Sequence, residues 1–578
     1  MIKVMHMTDE FSDLIPYYSV LYIPIAFLIV ISIRKYLNGD AFFTSGREKI
    51  ISIIFGILFM LFYVSGLVLS SGASFTTKSV SFILSSCAIF AAAVGIGYRF
   101  ITLSLVKQFN AANCSCDLLF RHSLLLPFSI IIACWLPVFF ALYPGLFAYD
   151  VAGQMYQAMG SYSTHHPLLH TLFLQAFYKL GEKIGSYNDG MAISVIIQMV
   201  LFALSLAYSI QYMINKRVKR SVVITALMFF SVIPIFPILA VSMTKDILFS
   251  AAFVASFVKI LQLIDNGLNI TKIWDWISII ALFILTSLLR SNGKYAVFAV
   301  LVALVLKAIT DRANLKKMYP LLVLTIVFTV ISNHALVRAT HALPVSKNEM
   351  MSVPYQQLAR VYRYNINCFT SEDRAAVERI IPSIGSYNEH ISDGVKGPAK
   401  VFDSHENEKE FWHIYFKYML KQPVRYAEAF LITSIGYWYL DDISNSQMYG
   451  RRADGGIDDD FGLFLMDTKP GYGITHESKL PWLDKIIKKL FHENKYQKLP
   501  VIAVVFSMGT YFWLIVLSFF YCVQKKNKEA AVPLVFILSY IATVLAGPCS
   551  LIRYALPYIA CLPALMVTAY KADDVQAK

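Results

Sequence analysis

A chain of 578 residues that is 57% hydrophobic and 15% charged, with a mean hydropathy of +0.57, is not an ordinary soluble globular protein, whose surface must be largely polar. The net charge of +14 does not make it a nucleic-acid binder either. The basic residues fall in alternate short connections between apolar runs, which is the positive-inside signature of a multi-span membrane protein.

In chain order, nearly charge-free runs at 50–70, 79–97, 123–142, 191–214, 221–243, 500–523 and 552–570 each match the ~20 residues that cross a ~30 Å hydrocarbon core as helix. Weaker runs at 14–33, 247–264, 276–289, 295–310, 319–337 and 531–547 bring the expectation to about thirteen spans. Helices are expected because open strands cannot satisfy their backbone in lipid. The acids Asp9, Glu10 and Asp13 precede the first run, which has no small-residue cleavage site. It reads as a retained helix rather than a signal peptide.

The basic connections are Arg34, Lys35, Arg47 and Lys49; Arg99, Lys107 and Arg121; Lys216 to Arg220; Lys307 to Lys317; and Lys525 to Lys528. With these inside, the outer segments are 1–13, 71–78, 143–190, 243–246, 290–294, roughly 338–499, and 548–552. Four units follow. Residues 1–122 form an N-terminal three-helix extension, and 123–337 a membrane module with the outer loop 143–190. Residues 338–499 form a mainly α extracytoplasmic block, and 500–578 the C-terminal helices. The fold class is all-α, polytopic, in a bacterial cytoplasmic (cell) membrane.

Within the block, Thr370-Ser-Glu-Asp373 approximates a capping box that starts a helix ended by Pro382. Glu406–Lys421 reads as a second helix. Its stripe of Phe411, Trp412, Tyr415, Phe416 and Met419 suits a membrane interface or ordinary core. The run Ala427–Leu440 is short for a span and reads as interfacial or re-entrant. Residues 441–480 read as a mobile polar loop, whose Asp458-Asp459-Asp460 lacks the spacing of a calcium loop. Cys114-Ser-Cys116 is too short and isolated for a zinc site. Cys368 alone in 339–499 allows no internal disulfide there.

This sidedness puts Asp150, His165, His166, Lys245, Asp246, Arg290, Asn292, Lys294 and Arg553 on one face, which is what a site requires. Asp150 can act as general base for a hydroxyl acceptor or as a metal ligand. It also suits the N-cap of a helix Val151–Met159. Gln154 and Gln157 lie near one face of that helix, where they could bond sugar hydroxyls. Pro167 restricts His166 to an extended backbone, so the two imidazoles sit in a fixed turn before a helix from about Leu168 and could donate to a phosphate. Lys245, Arg290, Lys294 and Arg553, the last beside Tyr554, are cations at span ends suited to an anion emerging from lipid, and Gly293 permits a tight turn. Asp246 could orient Lys245 or serve as a second acid. In the block, helical spacing puts Gln356 and Arg360 on one face, with Gln357 beside them, as candidate acceptor contacts.

These motifs resemble the GT-C superfamily of polytopic glycosyltransferases. In that superfamily an aspartate stands in the first outer loop; arabinosyl-, mannosyl- and aminoarabinose-type members follow it with a charged-residue-Pro-Pro-Leu turn, and a late Arg-Tyr-x-x-Pro closes the pattern. Asp150, His165-His166-Pro167-Leu168 and Arg553-Tyr-Ala-Leu-Pro557 stand at the matching places, over roughly 123–570. The resemblance implies an enzyme taking a sugar from a polyprenyl-phosphate carrier to an extracytoplasmic glycan or lipid acceptor of the cell envelope. The chain departs from the family in having no Asp-x-Asp in the Asp150 loop and histidines before the proline. A divalent cation is therefore an open expectation. The alternatives are a lipid-linked saccharide transporter or flippase, and an O-antigen-polymerase-like ligase whose weight rests on Arg290 and Arg553.

Overall fold

The computed structural model describes residues 45–72, 74–110, 124–147, 149–442, 472–491 and 500–571. The described residues are helical, with no strand beyond two isolated bridges. The expected span at 14–33, the acids before it, Cys114, Cys116, Arg121 and the acidic run 458–460 lie outside the described residues.

The first helices are α1 (Gly46–Ser70), α2 (Thr77–Asn110) and α3 (Leu125–Ala141). Two short helices follow on one side of the bundle, α4 (Tyr149–Ala158) and α5 (Leu168–Ile184), and then the long α6 (Tyr187–Asn215). Next come α7 (Arg220–Val232), α8 (Ile235–Ala240), α9 (Lys245–Asp265), α10 (Ile273–Leu289), α11 (Gly293–Thr310) and α12 (Leu315–Thr340). The block contributes α13 (Ser352–Tyr364), α14 (Ser371–Ile380), α15 (His405–Lys421), α16 (Pro423–Thr433) and α17 (Ile435–Trp438). The chain ends with α18 (Pro481–Phe491), α19 (Pro500–Phe506), α20 (Met508–Lys525), α21 (Ala531–Leu545) and α22 (Ile552–Tyr570).

Seven of these, α1, α2, α6, α9, α11, α12 and α22, are long and apolar enough to cross a membrane. α3, α7, α10 and α21 are apolar but shorter. Two expected continuous spans are broken. The run 221–243 stops at Ile233, whose extended backbone is what a following proline favours, and resumes as α8. The run 500–523 is interrupted at Ser507. The break after α8 matters for the site. The freed carbonyls of Ala240 and Ser242 accept from Gln198 Nε2, and Leu146 pairs with Val241 and Met243 at 2.9 Å each. Unravelled backbone at this depth is tolerated because protein groups satisfy it.

The expected alternation of connections shows up as two poles. At one, Lys216 pairs with Asp265, Asn314 reaches the Gly267 carbonyl, Lys307 meets Glu529, Asn110 bonds the Tyr570 carbonyl and Arg47 the Val523 carbonyl. At the other, the segments 143–190, 242–246, 290–294, 343–349 and 548–554 meet one another and the block. α1 and α2 cross closely at Gly56 and Gly95, where a side chain would strike the Ala91 and Ser52 carbonyls. A buried Glu48–Arg99 ion pair at 2.6 Å ties them to each other, and the Gln524–Glu48 and Tyr98–Gln524 hydrogen bonds attach them to α20.

The block has its own core of Tyr355, Leu358, Val377, Ile380, Phe411, Tyr418 and neighbours. Thr370 caps α14 by accepting from the Asp373 amide. The aromatic stripe of α15 is mostly core: Phe411 and Tyr415 are buried, whereas Phe416 is exposed. Ala427–Leu440 dips into the bundle. Trp438 packs edge-on to Phe62, and Asp441 accepts from Tyr63, roughly 10 Å below the end of α1 at 1.5 Å per residue. That depth suits a re-entrant segment.

Candidate functional site

Leu146 pairs with Val241 and Met243, so the chains leaving that contact run side by side. Asp150 emerges four residues after Leu146, and Lys245 two after Met243. Lys245 Nζ lies 3.1 Å from Asp150 Oδ2 and 3.3 Å from His166 Nδ1. The expected N-cap role of Asp150 is corrected: it lies within the first turn of α4, and its carboxylate turns to the cations instead.

Arg553 joins the carboxylates. Its guanidinium is 3.2 Å from Asp150 and 3.7 Å from Asp246. Arg290 pairs with Asp246, which is fully buried, and stacks 4.0 Å from the Tyr554 ring centroid. Residues from α4, the turn before α5, α9, the α10–α11 turn and α22 therefore form one cluster. Three cations against two carboxylates leave one positive charge in excess, a net field that favours an anion. Gly293 closes the expected turn by donating its amide to the Arg290 carbonyl at 2.9 Å, and it has a second use. A side chain there would strike the Thr286 carbonyl and the Phe249 ring, so glycine permits close packing next to Arg290.

Burial pushes the Asp150 carboxyl up, but Arg553, Lys245 and His166 together outweigh it and hold it well below the usual carboxylate range. Burial and then Lys245 bring His166 down to about 3, partly offset by Asp150. His170, fully buried, is also brought down to about 3 by burial. Both imidazoles are neutral at physiological pH.

The turn before α5 is held from both sides. Ser163 bridges to Leu343, and Thr164 accepts from the Val345 amide at 2.8 Å. Gly153 leaves room for His166 Nε2, which would stand 2.9 Å from an added Cβ. The loop before Arg553 is gripped by the block through Ser392–Pro548, Ser550–Thr433 and Tyr437–Cys549 hydrogen bonds.

Other expected site residues stand elsewhere. His165 is half-exposed, 4.0 Å from Glu349, with its ring against that of His166. Asn292 takes the N-cap position of α11 without a side-chain cap bond. Lys294 is exposed, over the Tyr295 ring. Gln154 is buried between His170 and Thr171, and Gln157 donates to Ser163; both brace the turn. Gln356, Gln357 and Arg360 are not brought to the cluster. Gln356 donates to the Asn388 carbonyl, Gln357 to that of Tyr426, and buried Arg360 pairs with Glu428 at 2.9 Å and Glu389 at 3.1 Å. These three side chains thus find partners inside the block rather than at the cluster.

Sequence reasoning missed the His170–Gln154 brace and the Leu343–Val345 strap, neither of which has a local signature. It also missed Thr325, Thr329 and Asn333, a polar stripe at four-residue spacing in the apolar α12 that was readable. Among the described residues, no three His, Cys, Asp or Glu side chains form a group that could hold a metal.

Comparison with curated proteins and with solved structures finds no match. A family model matches residues 158–578, a span that includes His166, Lys245, Asp246, Arg290 and Arg553 and begins just after Asp150. The chain therefore belongs to a family described as a family of unknown function (DUF6020).

Proposed function

We propose that the protein is a polytopic membrane glycosyltransferase of GT-C type with about thirteen spans. The cluster faces out of the cytoplasmic membrane and transfers a sugar from a polyprenyl-phosphate carrier to an envelope acceptor. The observation that carries this reading is the cluster itself: two carboxylates and three cations from distant segments, in excess by one positive charge, at one end of apolar helices. Buried charge of this kind at a membrane boundary is costly and marks a substrate site.

In the reaction, the acceptor hydroxyl oxygen attacks the anomeric carbon. The bond from that carbon to the carrier phosphate breaks, its electron pair leaves with the phosphate, and the hydroxyl proton passes to Asp150. Without substrate, Lys245 and Arg553 clamp Asp150 and make it a poor base. An arriving phosphate competes for both cations and releases the carboxylate. Lys245 and Arg553 then neutralise the leaving group, and Asp246 holds Arg290 in place. No resident metal is assigned to these steps.

The clamp on Asp150 also favours a second reading, an O-antigen-polymerase-like ligase in which Arg290 and Arg553 carry the diphosphate and no carboxylate base is needed. Sugar transfer from a polyprenyl-phosphate hexose, in membranes carrying Asp150→Asn or Arg553→Met, separates the two. The first reading expects a loss of about a hundredfold or more in Asp150→Asn, the scale of general-base catalysis. Near-wild-type transfer by Asp150→Asn would refute it. Loss confined to Arg553→Met would favour the second reading.

A further inference from the structure

Beside the charged cluster lies a groove of about 280 Å³ between the His166–Pro167 turn, α10, α11 and α12. Resting on the reading above, we infer that this groove seats the sugar-accepting substrate, and that the acceptor is itself a membrane-anchored amphiphile with an uncharged, hydroxyl-rich head.

The lining is the first ground. Thr164, Ser287, Ser291, Thr329, Asn333 and His334 all contribute to it, and no carboxylate does. Its one lysine, Lys294, is exposed at the start of α11. Neutral donors and acceptors of this kind match hydroxyl groups rather than a charged phosphate. Arg290 and Arg553 do not line the groove, so the anion and the hydroxylated head have separate walls. His166 is common to both: it lines the groove and its Nδ1 is 3.3 Å from Lys245. A head seated there therefore lies beside the Asp150–Lys245 pair.

The second ground is unmet hydrogen bonding. In the lining, Thr329 Oγ1 is buried without a partner, as is Thr325 Oγ1 one turn away, outside the groove. Serine and threonine in a helix ordinarily satisfy themselves on the carbonyl four residues back. Thr286 and Ser287 do so in neighbouring α10. Asn333 and His334, exposed one turn further on, have no polar partner among the described residues. Polar groups inside an apolar layer are expensive, so a row of them on one helix calls for something to bond.

Third is the direction from which the groove is reached. Asn333 is seven residues from the end of α12, about 10 Å into the apolar layer at 1.5 Å per residue. The helix exposes Phe328, Val330 and Ile331 on its flank. A water-soluble acceptor has no use for a groove that runs down an apolar flank. An amphiphile does: its tail lies along α12 and its head rises to His166.

The test uses the full-length Asn333→Cys protein in nanodiscs. Modification by a maleimide is read at position 333 by peptide mass spectrometry, so the native cysteines stay in place. Discs containing diglucosyl diacylglycerol should slow labelling at least fivefold relative to phosphatidylcholine discs. Free maltose or phosphatidic acid should give no protection, and adding Ser287→Leu to narrow the groove should abolish the effect. Equal labelling in all discs would overturn the inference. Protection by maltose alone would do so too, by pointing to a soluble acceptor, as would protection by phosphatidic acid, by pointing to an anion site. The readout needs no turnover. Failure here therefore leaves the transferase reading standing, whereas absent sugar transfer with intact protection would sink that reading and the acceptor role with it, leaving a glycolipid seat.

Discussion

Replacing Asp246 by asparagine perturbs the cluster most selectively. The side chain is fully buried, pairs with Arg290 and lies 3.7 Å from Arg553. Asparagine keeps the volume, so no cavity forms, but the excess of positive charge doubles. Removing one partner of a buried ion pair costs about 3–5 kcal/mol because the other charge stays buried. Arg290→Met removes that stranded charge while keeping an apolar stem against the Tyr554 ring. The double variant should therefore recover part of the loss, with a coupling of about 2 kcal/mol, within the range for directly contacting residues. SDS titration of detergent-solubilised protein, followed by circular dichroism, measures all four corners of the cycle. An Asp246→Asn loss below about 1 kcal/mol, well short of a broken buried pair, or strict additivity in the double variant, would show that the cluster is not a closed electrostatic unit.

Three further outcomes are expected. His166 and His170 stay neutral when folded, at about 3, whereas the unfolded chain takes up protons below about 6.5. Stability should therefore fall as pH drops from 6.5 toward 4.5, by at most about 1.4 kcal/mol per pH unit for each histidine. A His166→Gln variant whose slope matched wild type would refute this. Asp150 adds its own loss only below the ordinary carboxylate range, as pH falls toward its depressed value. Gly293→Ala should destabilise by about 1–3 kcal/mol through overpacking on Thr286 and Phe249, measured by the same titration; an unchanged midpoint would contradict the close contact. Arg360→Met should weaken the block, seen as faster proteolysis within 338–442, because Glu428 is buried on Arg360 and Arg425. Polyprenyl-phosphate binding per folded molecule should be unchanged, whereas weaker binding would return Arg360 to the site.

Much of this arrangement was legible in the sequence, and the reason is charge. A lysine, an arginine or an aspartate at the end of an apolar run is conspicuous, and the lysine and arginine clusters fix which runs share an end. Asp150, His166, Lys245, Asp246, Arg290 and Arg553 could thus be assigned to one face before their distances were known. Function within a polar block was far less legible. Gln356 and Arg360 share a helix face, as spacing predicts, yet that face points inward to Glu428 and Glu389. Helical periodicity fixes which residues share a face but not what the face meets. The breaks at Pro234 and Ser507 were masked by continuous hydrophobicity, although Ile233-Pro234 carried the local signal. The turn at Gly293 was readable, but its close packing against Thr286 was not, because that depends on a neighbouring helix that no local pattern reveals.

The central claim is that the five clustered charges form a seat for a lipid-borne phosphate. Equilibrium binding of a polyprenyl phosphate to the purified protein in nanodiscs tests it most directly, with wild type set against Lys245→Met. Saturable binding that weakens at least tenfold in the variant, about 1.4 kcal/mol, is the predicted result. Equal binding by both proteins, or none by either, would contradict it.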